Sequence, residues 1–255
     1  MTLSVVIITY NEEGNIARAL ESARPLVCDG EGEIILVDSG STDRTVEIAE
    51  SYGAKVFVEE WKGYAAQKNS AIEKATGDWI LSLDADESLE PKLAAEIGQS
   101  LRQIAFTGFR ISRKNLFLGR WIRYGGFWPD PKLRLFRRGT ARFEDRAVHE
   151  DARLTEGIAG RIENAILHHS YPTLSDYIEH MNRYSSLGAE MAVAKGKRGF
   201  SVDDIALRPL LTFLYNYFFR LGFLDGREGL LLHLYHAGYV SWKYAKVWEL
   251  SRKQP

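Results

Sequence analysis

The stretch Trp79-Ile80-Leu81-Ser82-Leu83-Asp84-Ala85-Asp86-Glu87 decides the fold, because it reads as a buried strand that ends in two aspartates. In an open α/β sheet, ligands bind at the carboxyl ends of the strands, so these carboxylates are expected to face a cleft. An Asp-x-Asp pair there suits a hard divalent cation that keeps positions open for phosphate oxygens. The alternative is a solvated turn that is acidic by chance.

The first hundred residues, on either side of that strand, alternate strand and helix patterns. Buried or β-branched runs predict strands at 4–9, 33–37, 55–58 and 79–83. Helices are expected from an N-cap at Asn11 to about Ser22, from 39–43 to a C-cap at Gly53, over 64–75, and from Pro91 onward. Strands alternating with helices imply a parallel sheet with right-handed crossovers.

The pattern changes after about residue 105. Short strands separated by glycine- and aromatic-rich loops follow, and from Leu174 the chain reads as helical. Two late stretches, 209–223 and 229–248, mix aromatic and basic residues and are too interrupted for the roughly 20 apolar residues of a spanning helix. They predict interfacial helices on an anionic membrane. The alternative is a helical hairpin packed on the first domain or on a second subunit of a homo-oligomer.

Charge and cysteine content narrow the function classes. The formal net charge of the 255 residues is -1, which argues against a general nucleic-acid binder. The segment from Arg110 to Arg146, however, contains eleven basic residues and only three acidic ones. This local excess of positive charge is suited to phosphates on a substrate or a lipid surface. Cys28 is the only cysteine, so neither an intramolecular disulfide nor a cysteine-based zinc site is expected. The N-terminus lacks the pattern of a signal peptide, which predicts a cytoplasmic protein.

Three ordered motifs carry a resemblance to a known family. Val6-Ile7-Ile8-Thr9-Tyr10-Asn11-Glu12, Val37-Asp38-Ser39-Gly40-Ser41-Thr42-Asp43 and Leu83-Asp84-Ala85-Asp86-Glu87 resemble the family 2 inverting glycosyltransferases with the GT-A fold. The resemblance implies an α/β protein, a GT-A type Rossmann-like sheet with a mixed acceptor-side half and a helical C-terminal extension. It divides the chain into a nucleotide-sugar-binding half (1–105), an acceptor-side half of the same catalytic domain (106–172) and a membrane-associated extension (173–255).

The resemblance also assigns the donor site. Asp38 looks like the aspartate that accepts a hydrogen bond from uracil. The alternative role for Asp38 is a helix N-cap, but Ser41 or Thr42 is already suited to that role. Asp86 resembles the carboxylate that binds Mg²⁺ or Mn²⁺, with Asp84 supporting it. Lys68 matches a basic position near the nucleotide, and its alternative is a solvated helix lysine. The full nucleotide-binding set expected from the resemblance is Thr9, Tyr10, Asn11, Glu12, Asp38, Lys68 and Asp84.

On the acceptor side, inversion requires a base that takes the proton from the attacking hydroxyl. Val148-His149-Glu150 resembles the matching position in relatives that act on lipopolysaccharide core, so Glu150 is the expected base and Asp151 the alternative. His149 is expected to orient the base or the diphosphate. Trp128 and Arg134 lie in a family-like segment that is expected to contact the acceptor or phosphates.

The implied activity is metal-dependent transfer of a hexose, with glucose expected, from a UDP-sugar to a lipid-linked saccharide such as lipopolysaccharide inner-core heptose. The enzyme would work in peripheral contact with the inner face of the cytoplasmic membrane. An alternative is transfer to a polyprenyl phosphate, whose attacking oxygen is already ionised and needs no carboxylate base. A nucleotidyltransferase or a non-catalytic nucleotide-sugar-binding module is also open, but no glycine-rich phosphate loop is present.

Overall fold

A computed structural model describes residues 1–27, 32–144 and 151–252. The chain forms two compact units, and each of them is built from two separate stretches. The first unit comprises Met1–Arg113 and Asp130–His168, and the second comprises Lys114–Pro129 and His169–Pro255.

Twelve strands and seven α-helices are formed by the described residues. The strands are β1 Leu3–Thr9, β2 Gly32–Asp38, β3 Lys55–Val58, β4 Trp79–Ser82, β5 Glu87–Ser88, β6 Gly108–Phe117, β7 Arg120–Trp121, β8 Pro131–Arg137, β9 Ala141–Glu144, β10 Asp151–Leu154, β11 Ala159–Arg161 and β12 Ile166–Tyr171. The helices are α1 Ile16–Ala23, α2 Thr45–Ser51, α3 Tyr64–Glu73, α4 Pro91–Ser100, α5 Leu174–Ala194, α6 Arg208–Leu214 and α7 Gly226–Arg252. Short 3₁₀ turns span Arg24–Leu26 and Gly222–Asp225, and π-helical turns span Asp203–Leu207 and Tyr215–Phe219.

The sheet of the first unit begins with four parallel strands in the order β3-β2-β1-β4. The prediction of a parallel sheet for the first hundred residues is therefore confirmed. Beyond β4 the sheet continues with the antiparallel strands β8 and β6, which is the expected change to mixed pairing. In this register Thr9 pairs with Asp38, so the ends of β1 and β2 lie side by side. The polar residues that follow these strands are thereby brought to one edge.

Strand β1 explains why the sheet is covered on both faces. Successive side chains of a strand point to opposite faces, and every residue of this run is apolar or β-branched except Ser4. Val5 and Ile7 belong to a core that includes residues of helices α1 and α4, whereas Val6 belongs to a second core that includes residues of α3. Burial on both faces leaves the ends of the strands as the places where polar groups can meet solvent.

Two helix starts differ from the sequence prediction. Helix α1 begins at Ile16, and Asn11 lies outside it with a φ of 54° in the left-handed region. The Asn11 carboxamide instead accepts a hydrogen bond from the Thr42 amide at 2.8 Å, so the prediction of an Asn11 N-cap is wrong. Helix α2 begins at Thr45, and the side chain that accepts from its first amide is Asp43 (3.0 Å) rather than Ser41 or Thr42.

Glu33 at the start of β2 is a partly buried carboxylate with a pH-dependent contribution to stability. Its carboxylate accepts from Ser4 Oγ, Thr76 N, Thr76 Oγ1 and Lys55 Nζ at 2.7 to 2.8 Å. Burial opposes its ionisation, but the hydrogen bonds from Lys55, Thr76 and Ser4 outweigh burial and lower the pKa of Glu33 to about 2. A depressed pKa means that this stabilisation is complete above the ordinary value of 4.5 and is lost as the pH falls toward 2.

We therefore expect Glu33→Gln to lower the free energy of unfolding at neutral pH by about 2 kcal/mol, after allowance for solvent screening. Urea denaturation followed by circular dichroism measures this difference, which should decrease steadily as the pH falls from 4.5 toward 2. Glu47→Gln is the matched control, because Glu47 forms only an exposed pair with Arg44. A pH-independent effect of Glu33→Gln would contradict the assignment of its stabilising role to the ionised form.

The second unit is mainly helical, as predicted from Leu174 onward. Helix α5 begins with a capping box in which Thr173 and Asp176 satisfy each other's amides. It packs against α7, where Lys246 Nζ donates to the Asn182 carbonyl and side chain, Ser185 Oγ and Ser186 Oγ at 2.7 to 2.8 Å. None of the helices among the described residues is both long enough and apolar enough to cross a bilayer.

Candidate functional site

The turn after β4 brings Asp84 between two cations. Lys68 Nζ of helix α3 lies 2.8 Å from one carboxylate oxygen, and Arg134 of strand β8 donates to the other at 2.8 Å. Burial opposes ionisation of Asp84, but Arg134 and Lys68 outweigh it and hold the pKa of Asp84 well below its ordinary range. Lys68 is only 6% exposed, so its alternative role as a solvated helix lysine is wrong. The charge of Asp84 is balanced within the protein.

Glu87 fixes the shape of the same turn. It is fully buried, and its carboxylate accepts from the Asp84 amide at 2.9 Å and from Arg134 at 2.6 Å. Arg113 of strand β6 lies 3.7 Å from Glu87 and is bonded to Asp130 as well. Arg134 thus contacts two carboxylates, and its predicted contact with phosphate stays a prediction. Burial acts to lower the pKa of Arg134, but these carboxylates raise it.

Asp86 differs from Asp84 because its close side-chain partner is an imidazole. His168 Nε2 lies 3.1 Å from Asp86 Oδ2, a position that follows from the pairing of His168 with Glu87 between β12 and β5. Burial opposes ionisation of Asp86, but the attraction and hydrogen bond of His168 lower the pKa of Asp86. Conversely, burial acts to lower the pKa of His168, and the Asp86 and Glu87 carboxylates outweigh it and raise that pKa.

Asp86 and His168 offer a carboxylate oxygen and an imidazole nitrogen, two ligand types that a divalent cation such as Mn²⁺ accepts. The 3.1 Å between Asp86 Oδ2 and His168 Nε2 is a hydrogen-bond distance, so His168 would have to lose the proton of that bond before its nitrogen could bind an ion. No cluster of three or more His, Cys, Asp or Glu side chains that could hold an ion is formed by the described residues. An ion bound to one carboxylate and one imidazole retains positions for phosphate oxygens and water.

Asp38 lies at the neighbouring strand end, where it holds two loops together. Its carboxylate is fully buried and accepts from Gly40 N (2.9 Å), Ser41 N (2.7 Å), Thr9 Oγ1 (2.9 Å) and Ser41 Oγ. A carboxylate offers about four lone-pair sites, so all of them are used in these bonds. The role of Asp38 as a uracil acceptor stays a prediction, and one of the four bonds would have to yield to the base.

The other predicted nucleotide residues follow β1 in one loop. Tyr10 is exposed, and Asn11 is bonded to Ser41 and Thr42 of the loop after β2. Glu12 accepts from the Asn15 side chain at 2.8 Å, and burial raises the pKa of Glu12. The structure therefore brings the loop after β1 together with the loop that begins at Asp38, as the strand order requires.

The predicted acceptor-side residues are only partly described. Glu150 and His149 lie outside the described residues. Asp151, the alternative base, is half-buried at the start of β10 and pairs with Glu144 of β9. The adjacent residue of β9, Phe143, exchanges two 2.9 Å hydrogen bonds with Asn69 and has Lys68 Nζ 5.2 Å from its ring centroid.

Trp128 belongs to the second unit, where its ring meets Trp121 edge-on at 5.1 Å. Its predicted contact with the acceptor therefore stays a prediction. The same ring of Trp121 has the Arg123 guanidinium 4.8 Å from its centroid.

Three residues of the site have no role in the sequence-based assignment: Glu87, Arg113 and His168. Glu87 directly follows Asp86 in the sequence, and a third acid beside an Asp-x-Asp pair is a usable signal. His168 lies 82 residues from Asp86. Its only local mark is a strand-like run, Ile166-Leu167-His168, which does not reveal its neighbour in the sheet.

Comparison with known proteins places these features in a family context. Residues 4–150 match the model of Glycosyl transferase family 2. The lipopolysaccharide core biosynthesis glycosyltransferase LpsC of Rhizobium meliloti (strain 1021) is 33% identical over 89% of this chain and 82% of its own length. An uncharacterized glycosyltransferase of Rickettsia typhi is also 33% identical, over 98% of this chain and 88% of that protein.

Two solved structures share the fold at low identity. S. aureus TarS 1-349 in complex with UDP-GlcNAc is 17% identical with a TM-score of 0.54, and the match covers 99% of this chain and 92% of that one. The mannosyltransferase PcManGT of Pyrobaculum calidifontis, in complex with GDP-Man and Mn²⁺, is 16% identical with a TM-score of 0.57, covering 96% and 86%. These likenesses confirm the predicted GT-A type α/β fold. Because the two proteins hold different nucleotides, the shared fold does not select the base.

Proposed function

The chain belongs to glycosyl transferase family 2, and from this premise we propose that it is a metal-dependent inverting transferase that moves a hexose from a UDP-sugar to a membrane-linked glycan. The observation that carries the proposal is the difference between the two aspartates of the turn after β4. Asp84 is balanced by Lys68 and Arg134, whereas Asp86 faces His168 and can bind a cation. That arrangement supports a site for a diphosphate held through a metal ion.

In this proposal Asp86 and His168 would hold Mg²⁺ or Mn²⁺, which would neutralise the negative charge that gathers on the departing diphosphate. Lys68 and Arg134 keep Asp84 ionised and fixed, and Glu87 holds the backbone of the turn. These contacts keep the Asp86 side chain in place before the substrate binds, which avoids a cost of ordering it during the reaction.

The base that accepts the proton of the attacking hydroxyl is assigned to Glu150, with Asp151 as the alternative. The pairing of β9 with β10 supports this region, because Asp151 pairs with Glu144 and the next residue of β9, Phe143, has Lys68 Nζ 5.2 Å from its ring centroid. A base near the metal turn could take the proton as the hydroxyl attacks the anomeric carbon. Inversion follows when that attack occurs on the face opposite the departing UDP.

The acceptor class is supported by the relative LpsC and by the local excess of basic residues in one segment of the chain. LpsC is named for lipopolysaccharide core biosynthesis, and it resembles this chain over most of its length. The basic excess between Arg110 and Arg146 is suited to a phosphorylated core saccharide. We propose inner-core heptose as the acceptor and glucose as the sugar, with the inner face of the cytoplasmic membrane as the place of reaction.

Glu150→Gln is the test of the chemistry. We expect kcat to fall by about 10²- to 10⁴-fold with UDP-glucose and a heptose-containing core lipid, because the proton has no acceptor in the variant. Release of UDP and the anomeric configuration of the product, read by NMR, measure transfer and inversion. UDP affinity should be unchanged.

Asp151→Asn is the matched variant, since it removes the neighbouring charge and distinguishes the two candidate bases. If both variants retain full activity, and polyprenyl phosphate is glycosylated in place of the core lipid, the carboxylate base is wrong and the alternative acceptor is right. If UDP does not bind to the wild-type chain at all, the proposal fails at its donor.

A further inference from the structure

The second unit carries a continuous apolar segment that faces outward. Residues 205–224 contain no acidic residue, and their only charges are Arg208 and Arg220. Large apolar side chains are normally turned inward in such a helical segment. Nine of them are exposed here instead: Leu207, Leu210, Leu211, Tyr215, Phe218, Phe219, Leu221, Phe223 and Leu224. We call these nine residues the apolar stripe.

The spacing of the stripe shows that it follows one side of the helical segment. After Leu207, each of its next five members lies three or four residues from an earlier member, along Asp203–Leu207, α6 and Tyr215–Phe219. Such intervals return to the same face of a helix. The opposite side is partly covered, because Pro209 is buried and Tyr217 packs against His233 of α7. The segment therefore has two apolar faces: one packs within the second unit, and the other, the stripe, is exposed.

The structure distinguishes the two stretches, 209–223 and 229–248, for which the sequence predicted the same interfacial role. In α7, which contains residues 229–248, the side chains of Leu232, His233, Ala237 and Val247 are buried. Only Leu230 and Leu234 are exposed among the large apolar residues described in that helix. Helix α7 therefore serves as internal support, and the exposed apolar surface belongs to residues 207–224.

Charge around the stripe favours an anionic occupant. Arg220 and Arg227 are exposed, and neither forms an ion pair with another described residue. The acidic residue between them, Asp225, is 1% exposed and accepts hydrogen bonds from the Arg123 and Tyr124 amides. Asp204, at the other end of the stripe, is paired with Lys197 and Arg208. Exposed positive charge therefore borders the stripe at Arg220 and Arg227, Glu228 lies 3.8 Å from Arg120, and an exposed acid, Asp203, stands at the opposite end of the stripe.

We infer that the apolar stripe and the adjacent arginines dock on the surface of an anionic lipid bilayer. Exposed Phe, Leu and Tyr side chains can enter the boundary between headgroups and acyl chains, while the arginines contact lipid phosphates. An open groove of 410 Å³ beside the stripe is lined half by apolar or aromatic residues (Leu207, Leu211, Tyr215) and half by polar ones (Asp203, Arg208, Thr212), so it suits the boundary between headgroups and acyl chains. A second copy of the chain suits the surface less well, since a two-fold interface centred on it would bring like charges together.

The inference deepens the proposed function, because a membrane-linked acceptor requires the enzyme at the bilayer, but its test is independent of transfer. The 255-residue chain is floated with phosphatidylcholine vesicles and with vesicles that contain about 30% phosphatidylglycerol. We expect strong preference for the anionic vesicles. Phe218→Ser combined with Phe219→Ser should weaken that binding by about tenfold or more, because two side chains lose apolar burial.

The matched control removes two large apolar side chains of the first unit that are also well exposed. Ile104 is 85% exposed and Ile158 is 66% exposed, compared with 52% for Phe218 and 80% for Phe219. Ile104→Ser combined with Ile158→Ser should leave vesicle binding unchanged. Arg220→Gln combined with Arg227→Gln should abolish the preference for anionic over neutral vesicles, and added salt should do the same to the wild type.

UDP affinity, circular dichroism and molar mass by light scattering are measured on every variant. Unchanged UDP affinity with lost vesicle binding supports the docking surface, whereas lost UDP binding alone would count against the proposed function only. Equal vesicle binding by the Phe218/Phe219 and Ile104/Ile158 variants would overturn the inference. So would a wild-type dimer that the Phe218/Phe219 variant converts to a monomer, because the stripe would then be covered by a second copy.

Discussion

Replacing Asp86 with asparagine is expected to remove the dependence of UDP binding on Mn²⁺ and to lower transfer by about a thousandfold or more. Asparagine retains the size of the side chain and can still bond His168, but it removes the negative charge that attracts the cation. Calorimetric titration of UDP, with and without Mn²⁺, measures the binding term directly. The readout does not depend on knowing the acceptor.

Glu21→Gln is the control for a change of one charge, since Glu21 is an exposed residue of α1. It should bind UDP and Mn²⁺ like the wild type. His168→Gln should weaken the metal-dependent part of UDP binding less than Asp86→Asn does, because the carboxylate remains. Metal-dependent UDP binding that survives in Asp86→Asn would mean that the cation is held elsewhere.

Replacing Arg134 with methionine is expected to lower the free energy of unfolding by about 3 to 5 kcal/mol. Methionine fills much of the same volume, so the loss is electrostatic. Among the described residues, Asp84 would keep Lys68 alone as a close cation, and fully buried Glu87 would lose its 2.6 Å bond to the guanidinium. Urea denaturation at neutral pH measures the change.

Arg110→Met serves as the control for Arg134→Met, since Arg110 is exposed on strand β6 in the same unit. Its effect should stay within about 0.5 kcal/mol. Arg134→Lys should recover part of the loss, because one ammonium group replaces the charge but cannot reach both carboxylates as a guanidinium does. Equal stabilities of Arg134→Met and Arg110→Met would show that Arg134 is not the counter-ion on which the turn depends.

The fold of the first hundred residues could be predicted because its signals are local. The β-branched run of β1 and the glycine after α2 each mark an element within a few residues, and alternation then implies parallel pairing. The starts of α1 and α2 were misplaced for a physical reason. Asn11 and Ser41 have the side chains of helix caps, but they bond each other's loops instead.

The site could be predicted only where it lies within one motif. Asp84 and Asp86 follow directly from their place after a buried strand. Their partners come from distant strands: Arg134 is 50 residues from Asp84, and His168 is 82 residues from Asp86. Such contacts depend on the antiparallel register of β8 and β12, and periodicity in a single sequence carries no information on which strands become neighbours.

The chain leaves the first unit after Arg113 and re-enters it at Asp130. At that point the Arg113 amide donates to the Asp130 carbonyl at 3.2 Å, and Ser112 pairs with Pro131. Residues 114–129 thus leave and rejoin the first unit at one place, where backbone hydrogen bonds join the outgoing and the returning strand. Within the second unit, the Arg123 and Tyr124 amides of this segment donate to Asp225, which precedes α7. A relative that shortens or lengthens the segment would therefore have to preserve those two bonds or replace them.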